Sequence, residues 1–247
     1  MAANPLEKPI EYPTSDGQPM AETTLHRKVM SDLIEAMERH FASEPDVWVG
    51  GNLFLCWEKG NPRAAVAPDV LLARGVEKWD RPNYLLWEEV APSLVVEVTS
   101  RSTRGEDLRT KRSLYEQIGV GEYFLFDPYG EYLDPNLQGY RLDGGRYEPI
   151  APGREGSLES RTTGLTLVPE GERLRLVVTA TGERLLWPEE VELARREEAR
   201  ARHEAESRAT EEAHARREAE SRAEDLERRN RALEEEISRL RGGSGGS

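Results

Sequence analysis

The sequence predicts an α/β protein with a mixed central sheet, followed by one long charged helix. Two observations carry this. A strand, helix, strand unit runs from Leu94 to Asp127, and the composition changes sharply near Pro188, beyond which nearly every residue is Glu, Arg or Ala. The 247 residues suit one globular domain, placed at 1–187, a helical appendage at 188–241, and a terminal Gly/Ser stretch at 242–247 that reads as an engineered flexible linker.

The first twenty residues are rich in Pro and polar groups and are expected to drape over the surface. Over 21–41, Leu25, Val29, Leu33, Met37 and Phe41 recur at helical spacing, giving an amphipathic helix with one core-facing stripe. Glu22 opens it, where an acid favours the positive end of the helix dipole. Two short strands follow, Val47–Val49 and Asn52–Trp57, with Gly50-Gly51 read as a hairpin-like turn between them. Asp69 opens an apolar strand in Val66-Ala-Pro-Asp-Val-Leu-Leu72, and residues 74–91 form a polar, aromatic connection without strong periodicity.

Leu94-Val-Val-Glu-Val98 reads as a buried strand with an acid inside it, Glu97. A buried unpaired carboxylate costs several kcal/mol or more, so Glu97 must be protonated, hydrogen-bonded, ion-paired or bound to a metal. Thr103-Arg-Gly-Glu106 has capping-box form and starts a helix that ends at Gly119. Glu122–Asp127 is the next strand, stopped by Pro128, and the crossover predicts that it lies parallel to the Glu97 strand, with Glu97 central in the sheet. Residues 138–150 read as a hairpin about Asp143-Gly-Gly145, and 164–187 as further short strands with a turn at Thr181-Gly182.

Charge and cysteine content exclude several classes. The net charge is −13, and of 47 acids and 34 bases, 17 and 13 lie from Pro188 onward, which leaves 30 against 21 in the domain. So acidic a balance weighs against binding nucleic acid unless a local basic patch overrules it. Cys56 is the only cysteine, which rules out disulfide frameworks and cysteine zinc sites within one chain. The histidines, His26, His40, His203 and His214, show no zinc-ligand spacing. With no apolar stretch of membrane-spanning length and no basic-then-apolar leader, a cytoplasmic protein without membrane contact is expected.

The polar residues that remain suit phosphodiester hydrolysis. That reaction calls for an ion to screen phosphate and activate water, and magnesium is commonly held by one or two carboxylates, a carbonyl, waters and substrate phosphate. Asp69 and Glu97 on neighbouring strands and the Val98 carbonyl can supply the protein ligands, with Mg2+ or Mn2+ as the cofactor. Lys111, one helix beyond Glu97, is the candidate cation for developing charge. Asp107 and Lys111 share a helix face, and alone they would be an ordinary surface salt bridge worth under about 1 kcal/mol. Arg101, Arg104, Arg109 and Arg112, with Lys111, form a local basic patch that either contacts phosphates or is a solvated helix face. Tyr115 either hydrogen-bonds near the site or packs.

Pro68-Asp69, Leu94-Val-Val-Glu-Val98, Ser100-Arg-Ser-Thr103, Asp107-x-x-x-Lys111-x-x-x-Tyr115 and Gly119-Val-Gly-Glu-Tyr123 leading to Phe126-Asp-Pro128 together resemble the Uma-two family of endonucleases, within the PD-(D/E)XK nuclease superfamily. The resemblance spans roughly residues 21–187. It implies a three-layer restriction-endonuclease-like core and metal-dependent cleavage of DNA. It also implies that Asp69 and Glu97 are metal ligands, that Glu22 is a further acid, and that Lys111 is a lysine displaced onto the following helix. The superfamily pattern has its lysine two residues after the second acid, where this chain has Thr99. That departure raises a competing reading, a degenerate nuclease fold that binds nucleic acid or protein without cutting.

The appendage carries Leu226, Leu233 and Leu240 at seven-residue spacing, with Ala223, Asn230 and Ile237 at the intervening seam positions. This is a coiled-coil heptad. His203–Ala209 and Arg217–Ala223 repeat one another fourteen residues apart, two heptads. A homodimer through 188–241, or pairing with another coiled-coil protein, is expected; a lone solvated helix is the alternative.

Overall fold

The structure, a computed structural model, describes residues 12–13 and 23–242, with side chains to residue 239. It divides into two compact units, Met1–Glu189 and Glu190–Ser247. Glu22 lies outside the described residues, as do the expected surface segment apart from Tyr12 and Pro13, and most of the terminal Gly/Ser stretch. The Tyr12 hydroxyl accepts from the Gly60 N–H at 2.7 Å, and the Pro13 carbonyl accepts from the Asn83 amide at 2.9 Å.

The first unit begins with α1 (Thr24–His40), capped by the Thr23 hydroxyl, which accepts from the His26 N–H. Its stripe of Val29, Leu33 and Met37, continued by Phe41, is buried as the periodicity requires. Six strands form the central sheet, β1 (Val47–Gly50), β4 (Val70–Arg74), β6 (Leu94–Val98), β7 (Glu122–Phe126), β8 (Leu137–Asp143) and β9 (Arg146–Pro149), in the order β1-β4-β6-β7-β8-β9. β6 and β7 are parallel, their connection being the crossover helix, and every other pairing is antiparallel. The sheet is therefore mixed, with β6 central.

Alternation along these strands sorts the core into two sides. Val70, Leu72, Leu94, Val96, Val98, Phe124 and Phe126 pack with α1 and with a three-stranded antiparallel sheet of β10 (Leu158–Ser160), β11 (Leu165–Glu170) and β12 (Arg173–Val178). Leu71, Ala73, Val95, Tyr123 and Leu125 pack with α2 (Arg112–Ile118) and with a second small sheet of β2 (Phe54–Cys56), β3 (Ala65–Val66) and β5 (Asn83–Leu85). The result is three layers, with the sheet between α1 and α2.

Three local expectations are corrected. β1 and β2 do not form a hairpin: β1 pairs with β4, and β2 pairs with β3 and β5. The turn between β1 and β2 is instead held against the Asp69 strand, since the Asn52 N–H donates to the Pro68 carbonyl at 2.9 Å and Asn52 takes a left-handed φ of 53°. The 74–91 connection contains β5, a three-residue strand too short to show a period. The capping box at Thr103 does not form. The Thr103 hydroxyl accepts from the Ser100 N–H at 3.1 Å, and the chain enters a π-helical turn, Glu106–Lys111, before α2. Gly119 closes α2 with a φ of 84°, which glycine adopts without a Cβ penalty.

The second unit is helical throughout its described residues, within α3 (Pro188–Gly242). Among the described residues, no helix is long and apolar enough to cross a membrane.

Candidate active site

Strand register brings the two sequence-distant acids together. β4 and β6 pair with Val70 opposite Val96, so one step further Asp69 faces Glu97, and opposite residues of an antiparallel pair point to the same side. The ladder ends there. Asp69 Oδ2 accepts the Val98 N–H at 2.7 Å, so a side chain takes over where backbone pairing stops. Asp69 Oδ1 stands 3.2 Å from His26 Nε2, on the first turn of α1.

Glu97 is 1 % exposed and both of its oxygens are engaged. Oε2 lies 2.9 Å from Lys111 Nζ, and Oε1 accepts the Tyr115 hydroxyl at 2.7 Å. Lys111 Nζ also stands 3.2 Å from Asp107 Oδ1. The helix after β6 thus presents Asp107, Lys111 and Tyr115 toward the strand acid. The π-helical turn that spans Asp107 and Lys111 is a feature often found at functional sites.

The electrostatics follow from burial. Removal from water pushes the Glu97 carboxyl up to about 8, with the Lys111 ammonium opposing and the Asp69 and Asp107 charges reinforcing the rise. Asp107 is raised as well, chiefly by burial. Burial by itself would lower Lys111, but the charges of Glu97, Asp107 and Asp69 outweigh it and hold the ammonium above its ordinary value. Lys111 therefore remains a cation. Burial and the Glu97 charge push the Tyr115 hydroxyl well up, so it remains a proton donor. Tyr115 both packs, tilted against Tyr123 with ring centroids 5.1 Å apart, and hydrogen-bonds to the acid.

Two buried carboxyl groups, Glu97 and Asp107, and the partly buried Asp69 surround one ammonium in this cluster. Asp107 is buried, with Lys111 Nζ 3.2 Å from its Oδ1 and Thr103 beside it. The carboxyl groups outnumber the ammonium, and a hard divalent cation held by few protein oxygens would suit such a cluster. Among the described residues, no group of three or more His, Cys, Asp or Glu side chains is assembled around a metal position.

Val98 is brought to the cluster through its N–H. Arg101, Arg104 and Arg109 are exposed on the turn and helix that follow β6, while Arg112, also exposed, lies over the Tyr140 ring at 4.8 Å. The buried hydroxyl of Thr99, two residues past Glu97, has no hydrogen-bond partner. Sequence reasoning missed His26. Its signal was position: His26, Val29 and Leu33 share the inward stripe of α1, and a buried histidine on such a stripe needs a polar partner.

The two acids thus lie on adjacent central strands, with a lysine laid against the second. The chain belongs to the Uma2 family, whose model, described as "Putative restriction endonuclease", matches residues 3–170. Among solved structures it is similar to a "putative nuclease belonging to DUF820" from Anabaena variabilis ATCC 29413, at 14% identity and a TM-score of 0.39, over 55% of this chain and 74% of that one. No curated protein matches.

Proposed function

We propose that this chain is a divalent-metal-dependent endonuclease that hydrolyses DNA phosphodiester bonds at the Asp69, Glu97 and Lys111 cluster. The observation that supports the reading is the 2.9 Å contact of Lys111 with Glu97, which sets a cation beside the second acid although Thr99 stands two residues past it. This contact favours the enzyme over a degenerate binding fold.

Asp69 and Glu97, with the Val98 carbonyl, would hold Mg2+ or Mn2+, which when bound would screen the phosphate and acidify water. The protein's own groups do the rest. Hydrolysis adds a water oxygen to phosphorus and releases one ester oxygen, and negative charge grows on the phosphoryl oxygens during the exchange. Lys111, fixed between Glu97 and Asp107, supplies positive charge to that state without reorganising. Tyr115 holds Glu97 from the other side, and the Val98 N–H and His26 fix the orientation of Asp69. Arg101, Arg104 and Arg109 supply phosphate contacts on the adjoining surface.

The test is cleavage of plasmid and single-stranded DNA in Mg2+, Mn2+ and chelator by the wild type, Glu97→Gln and Lys111→Met. Metal-dependent cutting is expected in the wild type, with a loss of about a hundredfold or more in each variant. Equal rates in all three proteins, or no cutting with either metal, would overturn the proposal.

A further inference from the structure

The exposed apolar stripe of α3 divides the helix into two kinds of surface. From Glu192 to Arg228, oppositely charged side chains pair along the helix itself, as in Arg196 with Glu192, Arg200 with Glu204, Arg216 with Glu220 and Arg228 with Asp225. Such pairing supports a solvated single helix. From Leu226 onward the pattern changes, Arg228 being the last residue paired along the helix among the described ones. Leu226, Leu233 and Ile237 are 59 %, 57 % and 49 % exposed, and among the described residues Glu227, Arg229 and Glu234 form no ion pair within the chain.

Heptad positions give those charges a destination, and Arg222, whose 3.5 Å contact with Glu218 on its own helix is an exposed one, joins them. With Ala223, Asn230 and Ile237 at a and with Leu226 and Leu233 at d, Arg222 and Arg229 occupy g positions, and Glu227 and Glu234 occupy e positions. In a parallel, in-register pair, each g residue faces the e residue five positions on in the other chain. Arg222 then meets Glu227, and Arg229 meets Glu234, twice over by symmetry. Antiparallel packing sets e against e, and would face Glu227 and Glu234 with glutamate. Asn230 at a completes the argument, since in-register pairing places it opposite its own copy, where two amides hydrogen-bond and other registers leave a buried amide unsatisfied.

We infer that residues 222–239 form a parallel, in-register homodimeric coiled coil, so the occupant of this face is a second copy of the same chain. The self-complementary g and e charges select a copy of this sequence over an unrelated helix. Chain connectivity then joins both nuclease units to the same end of the coil. The inference stands apart from the catalytic reading, because its readout is mass.

The test uses the full chain and light scattering. The wild type is expected at twice the 27.9 kDa of one chain. Arg222→Glu with Arg229→Glu, and separately Glu227→Arg with Glu234→Arg, are each expected to be monomers, and mixing the two proteins is expected to restore a dimer. Asn230→Cys is expected to cross-link to its own copy on mild oxidation, without interference from buried Cys56. A monomeric wild type, charge variants that stay dimeric, a mixture that stays monomeric, or an Asn230→Cys protein that does not cross-link would each overturn the arrangement.

Discussion

Glu97 shows how a single residue can be read from sequence up to a point. An acid among Leu94, Val95, Val96 and Val98 demands neutralisation, and four routes were open; the structure supplies a lysine, a tyrosine hydroxyl and an elevated pKa together. The elevation has a sign that can be tested. The folded protein keeps a proton on Glu97 up to about pH 8, whereas the unfolded chain releases it near 4.5, so the folded state binds more protons in between and stability falls as pH rises through that window. In chelator, the melting temperature of the wild type should therefore drop between pH 5 and 8 more steeply than that of Glu97→Gln, which has no proton to lose. Parallel slopes would show that Glu97 titrates normally. His26 was out of reach by comparison, because its partner Asp69 lies 43 residues away and only α1 docking brings them together.

At the scale of elements, the strand, helix, strand unit was legible because its parts are long and strongly patterned. Its parallel pairing followed from crossover geometry, as did the central position of β6. The β1–β2 turn was misread because Gly50-Gly51 fits two structures equally well, a hairpin and a close backbone approach. The approach wins: a Cβ on Gly51 would lie 2.0 Å from the Asp69 carbonyl oxygen and 2.8 Å from Ile34 Cδ1. Gly51→Ala should accordingly displace the strand entry that carries Asp69, costing about 1–3 kcal/mol or more in stability and also cleavage. Thermal unfolding and plasmid cleavage measure the two effects, and an alanine variant matching the wild type in both would show that the turn can give way. The π-helical turn had no sequence signature, since Asp107 and Lys111 at i, i+4 read equally well as an α-helical pair.

For the molecule as a whole, the two units differ in what sustains them. The first has a sheet with apolar packing on both faces; the second is a polar helix on which Leu193, Leu226, Leu233 and Ile237 are exposed. Glu189, the last residue of the first unit, pairs with Arg173 and Lys28, and Arg173 pairs in turn with buried Asp32. Those charges hold the Glu189 carboxyl at about 2. A chain ending after Glu189 should keep the melting temperature of the first unit and its metal-dependent cleavage while losing the dimeric mass. A collapse of melting temperature on truncation would show that the units stabilise each other. Sequence alone determined the α/β class, the central acid-bearing strand and the long helix, and singled out Asp69 and Glu97 as acids in apolar strands, because periodicity and the cost of burying charge are local properties. Only the tertiary structure decided that Lys111 reaches Glu97, that Asp107 is buried beside that lysine, and that His26 meets Asp69, because contacts between distant segments are set by register and helix docking, which no local pattern encodes.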